Sequence, residues 1–569
     1  MSDQDKTVTP TPASDDAAGP HTQQPPSTIP EWRNNEISSH NGNHSDQERG
    51  DGSPIEEESN PKYDDTTDEL LMNLVPDYFD GIPARQRQDA GSDANGNAVT
   101  AASQDDNNIV DWHQDDPENP RNWPTWRKYI RIFSVIALTY TVRLGACMIA
   151  PSIPMIMQDF GAGDRLEAAG FAVSVYILGL GLGPLLWTSL SAIYGPLAVT
   201  SICNVCFVGS TVGCVFVRSL AALIACRFLA GVFGHCAVAT GPGVIVDLLA
   251  GARSKTPLML YHLARVLGFV GGPFAGIWLG TDARWRVLFW IQAGVVLALT
   301  LVMVVPPCHG ETSARVLLQR RAKRLRRENG NMQLRSRLDA GLTARDIFRR
   351  SIQGPFQLLF SSKTCAGTAM LVGLAYGCQC MILTTVCHVA KSWPVFIPMF
   401  LTFFAVGCVF GLLPRRWTIG DASEKILWRR VLYGGVAVCL GHVLYGWVLE
   451  VGGGSRRVVV GPVYGLLSVG LGSSYIITAV RRDMNLRFNR PDGDNEPSAA
   501  AASVIVRGIF GALFPPLALF VYDRLGAGLG STVLSAAMFV LGAATLLLTN
   551  LHKLDHGRPT LEGRVWAAF

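Results

Sequence analysis

The sequence predicts an all-α membrane protein with twelve spanning helices in two blocks of six. Three observations predict it. Apolar runs close to the roughly 20 residues that cross a bilayer as helix recur along the chain. A polar, basic gap divides them into equal blocks. Lys and Arg gather on one set of alternate loops, as the positive-inside rule requires.

Composition agrees. Of 569 residues, 48% are apolar and only 17% are charged, with a mean hydropathy of +0.23. These averages include a long polar N-terminal stretch, so the remainder is more apolar still. The net charge is only +4, which weighs against a nucleic-acid partner.

Residues 1–125 show no apolar periodicity and are rich in Asp, Asn, Gln, Ser, Pro and Gly. Such a segment cannot bury enough apolar surface to offset its ordering entropy, and it reads as a disordered tail. A short run from Leu70 to Val75, with Tyr78 and Phe79, reads as a sticky patch or a docking motif. The start carries no apolar signal region. Asn43-His44-Ser45 forms a glycosylation sequon that a cytoplasmic tail would leave unused.

From Ile130 the pattern changes. Spans are expected near 130–150, 169–191, 197–217, 220–245, 257–279 and 287–305. After the gap they fall near 364–387, 395–413, 431–449, 458–480, 499–521 and 527–549. Lys391 and Pro394 make the seventh and eighth boundaries the hardest to place. The chain thus divides into a tail (1–125), a first six-helix half (126–305), a basic central loop (306–355), a second half (356–550) and a C-terminal tail (551–569).

Loop charges give the orientation. Between Pro306 and Gln353 there are twelve Lys or Arg against four Asp or Glu. Arg127, Lys128 and Arg131 flank the first span, and Arg253, Lys255, Arg415, Arg416, Arg481 and Arg482 follow the even-numbered ones. The first opposite loop holds Asp159, Asp164 and Glu167 against Arg165. Both termini and the central loop are therefore expected in the cytoplasm. The basic loop could also touch anionic membrane lipid, although a topology signal explains it equally well.

The thirteen cysteines begin at Cys147 and lie mostly in apolar runs. Cys203 and Cys206 form C-x-x-C, and Cys378 and Cys380 form C-x-C, but neither has the remaining ligands of a zinc site. They read as small apolar packing residues. No G-x-x-x-x-G-K-S loop or H-E-x-x-H helix is present, so no enzyme, metal or cofactor is expected.

Several motifs carry a resemblance. Asp116-Pro117-Glu118-Asn119-Pro120-Arg121-Asn122-Trp123 precedes the first span, and Ala150-Pro151-Ser152-Ile153-Pro154 closes it. The second span runs from Ser174-Val175-Tyr176 to Gly183-Pro184-Leu185-Leu186-Trp187, and the fourth holds Arg227-Phe228-Leu229-Ala230-Gly231. Arg507-Gly508-Ile509-Phe510-Gly511 and Tyr522-Asp523-Arg524-Leu525-Gly526 stand near the end. Together these resemble the fungal twelve-span drug:proton antiporters of the major facilitator superfamily, over about residues 115–550. The resemblance implies the major facilitator fold: two six-helix halves around a central cavity open to each side in turn. It also implies efflux of a small molecule against protons, and says nothing about which molecule.

In the fifth span, Gly268, Gly272, Pro273 and Gly276 make G-x-x-x-G-P-x-x-G, which resembles that family's antiporter motif. Glycines four apart clear one helix face for a close neighbour. Proline removes a backbone hydrogen bond and permits a bend. This face is expected to meet a helix of the other half, so Gly272→Leu should stop transport and leave folding largely intact.

A second motif is damaged. The family's latch after the second span pairs an acid with basic residues; here the corresponding positions read Ala192, Gly195, Pro196 and Leu197. Asp247, near the end of the fourth span, could be the latch's second acid, but its partner is missing.

Ionisable residues inside spans are costly, at about 2.5–3.5 kcal/mol for a central Arg on insertion scales, and should face a cavity or a partner. Arg143, Arg227, His235, His262 and Arg265 are the candidates for a substrate cavity or proton coupling. The resemblance links Arg227 to proton coupling. Arg143 and Arg265 suit an anionic or strongly hydrogen-bonding substrate, or a snorkelling structural role. Arg507 reads as structural. No acid lies mid-span, which leaves His235, or Asp247 at the helix end, as the titrating group.

The expected activity is proton-coupled efflux of a drug, fungicide or secondary metabolite across the plasma membrane, or the vacuolar one. The expected partners are that small molecule, protons and membrane lipid. Two alternatives stay open: a transporter-like receptor or scaffold, and a proton-coupled importer on the same fold.

Overall fold

The structure, a computed structural model, describes residues 108–555 except 114, 162–165, 250, 281–284, 306–309, 340, 342, 390–423, 452–459 and 489–495. The expected eighth span at 395–413, the Asn43 sequon, the run from Leu70 to Val75 and most of both tails lie outside the described residues.

The first block holds α1 (Thr125–Leu144), a short α2 (Ile153–Phe160), α3 (Leu166–Tyr194), α4 (Pro196–Phe216), α5 (Leu220–Leu248), α6 (Lys255–Gly280) and α7 (Trp285–Val304). The gap forms α8 (Ala314–Asn329) and α9 (Ala344–Ser361). The second block holds α10 (Lys363–Val389), α11 (Glu424–Val451), α12 (Val460–Phe488) and α13 (Glu496–Asp555). Every expected span except the eighth thus falls on a described helix. Spans eleven and twelve are continuous as α13, but the helix breaks at Gly526, whose φ of +78° is left-handed. The Glu450 carboxylate accepts from the Gly528 N–H just beyond the break, capping the second arm.

The first helix begins and ends earlier in the chain than expected. It ends at Leu144, and residues 145–149 form turns that lead into a 3₁₀ turn at Ala150–Ser152. Pro151 and Pro154 lack the N–H donors that a continuous helix would need.

In the first block α3 and α4 pack on α5, α1 on α6 and α7 on α4. In the second, α10 packs on α13, and α11 on both α12 and α13. The outer faces stay apolar: Ile202, Phe216, Trp278 and Leu548 are all exposed. An exposed apolar belt is what lipid tails select. Lipid supplies no hydrophobic force between helices, so close backbone approach does the work instead. In α11 and α12, a Cβ on Gly441 would lie 2.6 Å from Gly465 O, and one on Gly472 2.6 Å from Gly434 O. Between the blocks, α3 runs along α13 and α10 touches α6. A Cβ on Gly181 would lie 2.6 Å from Gly508 Cα, so these two backbones touch.

The central segment is not a plain loop, and the polar tail is ordered before residue 125. Ile109–Val110 (β1) pairs in parallel with Arg335–Ser336 (β2). Asp116 is ion-paired with Arg321, Glu118 with Arg324 at 3.2 Å, and Asp111 with Arg337 at 2.7 Å. The acids of the motif before the first span therefore hold the arginines of α8. In the sequence these segments stand far apart, and each shows only unpaired charge. Burial works to raise the Asp116 carboxyl, but the Arg321 guanidinium and the Glu118 N–H outweigh it, and it titrates below its ordinary value. At the opposite end of the bundle, Asp159 of α2 accepts from Trp285 Nε1 at 2.8 Å and pairs with Arg286 at 2.5 Å.

Candidate functional site

Among the places where the two halves meet is a group of three side chains. Arg143 lies in the last turn of α1, and its Nη1 is 3.5 Å from the Tyr376 hydroxyl of α10. The Tyr376 ring stacks on Phe269 of α6, with centroids 5.9 Å apart and planes 18° apart. Phe269 is buried; Arg143 and Tyr376 are half-buried. Nε of Arg143 is buried without a hydrogen-bond partner. Among the described residues no carboxylate pairs with this guanidinium.

Backbone packing sets the position of Arg143. A Cβ on Gly268 would lie 2.5 Å from Tyr140 O and 3.0 Å from Arg143 Cβ. Only glycine lets α6 come this near α1. The same holds for the rest of the motif: a Cβ on Gly272 would lie 2.6 Å from Leu144 O, and one on Gly276 would collide with Met148 O. The expectation that this face meets the other half is therefore corrected. It packs on α1 of its own half, because α1 and α6 are paired along their length. Pro273 sits inside α6 on this packed stretch.

Arg227 is fully buried in α5, with its guanidinium turned onto backbone carbonyls. Its Nη2 donates to Gly145 O at 2.8 Å and Ala146 O at 3.2 Å, and its Nε to Ala172 O at 3.4 Å. The guanidinium lies over the Tyr176 ring, 4.3 Å from its centroid. It thus satisfies carbonyls left open where α1 stops.

The histidines do not join this contact. His235 is buried against α3, where a Cβ on Gly183 would lie 2.7 Å from His235 Cβ. His262 is buried edge-on to Tyr261 at 5.3 Å. Arg265 is half-buried on α6, and Asp247 half-buried in the last turn of α5. A histidine that sequence reading passed over, His442 of α11, binds the Ser535 hydroxyl at 2.8 Å and the Tyr522 hydroxyl at 2.7 Å. It joins α11 to both arms of α13.

The damaged latch has a different occupant. Gly195 alone separates α3 from α4, with a φ of +99°, and Pro196 opens α4. Ala192 is half-buried beside this turn. Glu311 of the central segment is buried against it. Its Oε2 accepts from the Leu197 N–H at 3.3 Å, and its Oε1 from the Thr312 and Ser313 N–H groups at 2.7 and 3.2 Å. One carboxylate thus serves the N-termini of α4 and α8, where helix dipoles favour negative charge. Arg320 adds a bond to Tyr194 O at 2.9 Å.

Sequence reading missed Glu311, Phe269 and Tyr376. For Glu311 a signal existed: a lone acid followed by Thr312-Ser313 at the head of a basic helical run is a helix-start pattern. For the two aromatics there was none, since an aromatic in a spanning helix carries no mark of which way it faces.

Comparison with known proteins agrees with this architecture. The family model described as Major Facilitator Superfamily matches residues 133–549. The chain is 33% identical to efflux pump radE of Floropilus chiversii, over 79% of this chain and 87% of that protein. It is 33% identical to MFS-type transporter tndD of Aspergillus flavipes, over 75% and 81%. It is 31% identical to MFS-type transporter penM of Penicillium rubens, over 75% and 85%. With its helices, its apolar outer faces and this match from the first span to the last, the chain belongs to the Major Facilitator Superfamily and is a multi-pass membrane transporter.

Proposed function

We propose that this transporter is a secondary active exporter that moves a drug, fungicide or secondary metabolite out of the cell by proton antiport and alternating access. One observation carries the reading: at Arg143, Phe269 and Tyr376 the halves meet through contacts that are individually weak. A stacked aromatic pair contributes about 0.5–1.5 kcal/mol beyond its burial. A hydrogen bond nets about 0.5–1.5 kcal/mol. At Gly181 and Gly508 the two backbones touch. Interactions of this size can open and close near equilibrium, since 1.4 kcal/mol is about a tenfold change in population. The efflux reading is supported by the likeness to the radE efflux pump. Proton coupling rests on the family resemblance, with His235 as the titratable group buried in the fourth span. The basic central segment supports a cytoplasmic location for that end of the bundle and for both termini, and the plasma membrane is the site of action.

Expression of the full chain in a drug-sensitive host tests this. Accumulation of at least one compound from a broad panel should fall, and a protonophore should restore it. No effect across the panel would defeat the reading.

A further inference from the structure

We propose that the substrate is a planar aromatic anion that enters between Phe269 and Tyr376 and sets its charge against Arg143, which pairs with no carboxylate among the described residues. This deepens the exporter reading and rests on it.

Charge comes first. A guanidinium inside the membrane region demands compensation, because desolvated charge is tolerated only when paired and hydrogen-bonded. Arg143 has one long bond of 3.5 Å to a neutral phenol, a buried Nε with no hydrogen bond, and no carboxylate among the described residues. It differs from Arg227, whose guanidinium is met by three carbonyls and an aromatic face. Arg227 is bonded on several sides, whereas Arg143 is held in place with its Nε buried and without a hydrogen bond. Its planar fork suits a carboxylate or a phenolate.

Shape comes second. Phe269 belongs to the first half and Tyr376 to the second, and their faces are nearly parallel. When the halves part, the stack opens into a slot with one aromatic wall on each side. A flat conjugated ring in that slot stacks on both walls, in place of the stacking between them. Its acidic group then meets Arg143 at the slot's edge. Gly511 of α13 lets Tyr376 pack close in this position, since a Cβ there would lie 3.1 Å from the ring and 2.7 Å from Ile177 Cγ2. A cation would meet Arg143 with like charge, so the slot should select by sign.

Two xanthene dyes of similar ring shape and opposite charge separate ring from sign: fluorescein, an anion, and rhodamine 123, a cation. The full chain in proteoliposomes should carry fluorescein and discriminate against rhodamine 123. Arg143→Gln should lower fluorescein flux by about tenfold or more, the scale of losing one partner of a desolvated charge pair. Arg143→Lys should retain part of that flux, and Phe269→Leu should weaken fluorescein binding with its charge preference intact. Fluorescein anisotropy on monodisperse purified protein reads binding apart from turnover, which covers a variant that no longer cycles. Equal fluorescein binding by Arg143→Gln and the unaltered chain would overturn the proposal, as would carriage of rhodamine 123 alone. If neither dye is carried or bound while panel compounds still leave cells by a protonophore-sensitive route, the substrate class falls and the exporter stands. If no panel compound is exported either, both fall.

Discussion

Glu311 and Leu197 lie 114 residues apart in the sequence, yet the carboxylate of one accepts the backbone N–H of the other at 3.3 Å. That bond joins the central segment to the turn between the second and third spans. It lies where the family's latch carries charges and this chain carries Ala192, Pro196 and Leu197. The segment that looked like a linker is thus part of the first half's framework.

Replacing Glu311 should therefore cost stability. Glu311→Ala leaves three N–H groups at two helix N-termini without their acceptor, a cost of about 1–3 kcal/mol. Glu311→Gln keeps one acceptor oxygen and should lose less. Thermal unfolding of purified protein followed by Trp fluorescence reads the order: unaltered chain, then Gln, then Ala. Equal midpoints for all three would remove Glu311 from the framework.

Gly195→Ala should be at least as damaging. Its φ of +99° disfavours any side chain, and a Cβ would run into the Glu311 carboxylate. Pairing Gly195→Ala with Glu311→Ala should recover part of the stability, because the collision disappears and the backbone strain stays. Strictly additive midpoints would show that the two do not meet.

Asp116 gives a pH prediction. Its folded carboxyl titrates below its ordinary value of 3.8, so its stabilising pairing is complete above that value and fades as pH falls through the folded one. Hydrogen exchange in residues 108–124 should accelerate as pH drops below about 4, beyond the intrinsic chemical rate. Arg321→Gln should abolish that added sensitivity. A slope unchanged by the substitution would contradict the pairing.

Gly272→Leu now carries a different expectation. Packed on Leu144 O, the position cannot take a side chain without prising α6 from α1. Overpacking costs about 1–3 kcal/mol or more, which outweighs the roughly 0.8 kcal/mol gained in helix propensity. Surface expression should fall along with efflux. Normal expression with efflux alone abolished would restore the reading that this face serves the moving interface.

Arg227→Leu separates structure from coupling. Three carbonyls lose their donor, so the thermal midpoint should drop by several degrees, the scale of a change of about 1–3 kcal/mol. If the midpoint holds while the pH dependence of efflux flattens, Arg227 belongs to proton coupling instead.

How much of this was legible follows from the kind of signal each feature leaves. Helix positions come from the length of apolar runs, and α4, with its ends at Pro196 and Phe216, falls within one residue of expectation. The break at Gly526 sits between two expected spans, because a run of about 50 apolar residues needs a turn. Pairing between helices leaves no such trace. The Gly268 face reads as a close approach from its four-residue spacing, but spacing does not say that the partner is α1. The tail's docking was hidden for the same reason: Asp116 and Arg321 each look like ordinary surface charge until the fold brings them together. Arg143 was legible as a residue needing a partner. Phe269 and Tyr376, which flank it, were not, since an aromatic in an apolar span looks the same whether it faces lipid, core or substrate.

The central claim is export driven by protons, and inside-out vesicles carrying the full chain test it most directly. With the lumen acidified, a compound identified in the cell panel should accumulate inside. Collapsing the gradient should stop it, and reversing the gradient should not drive it. Accumulation that ignores the sign of the gradient, or that appears only when the gradient is reversed, would contradict proton-coupled export.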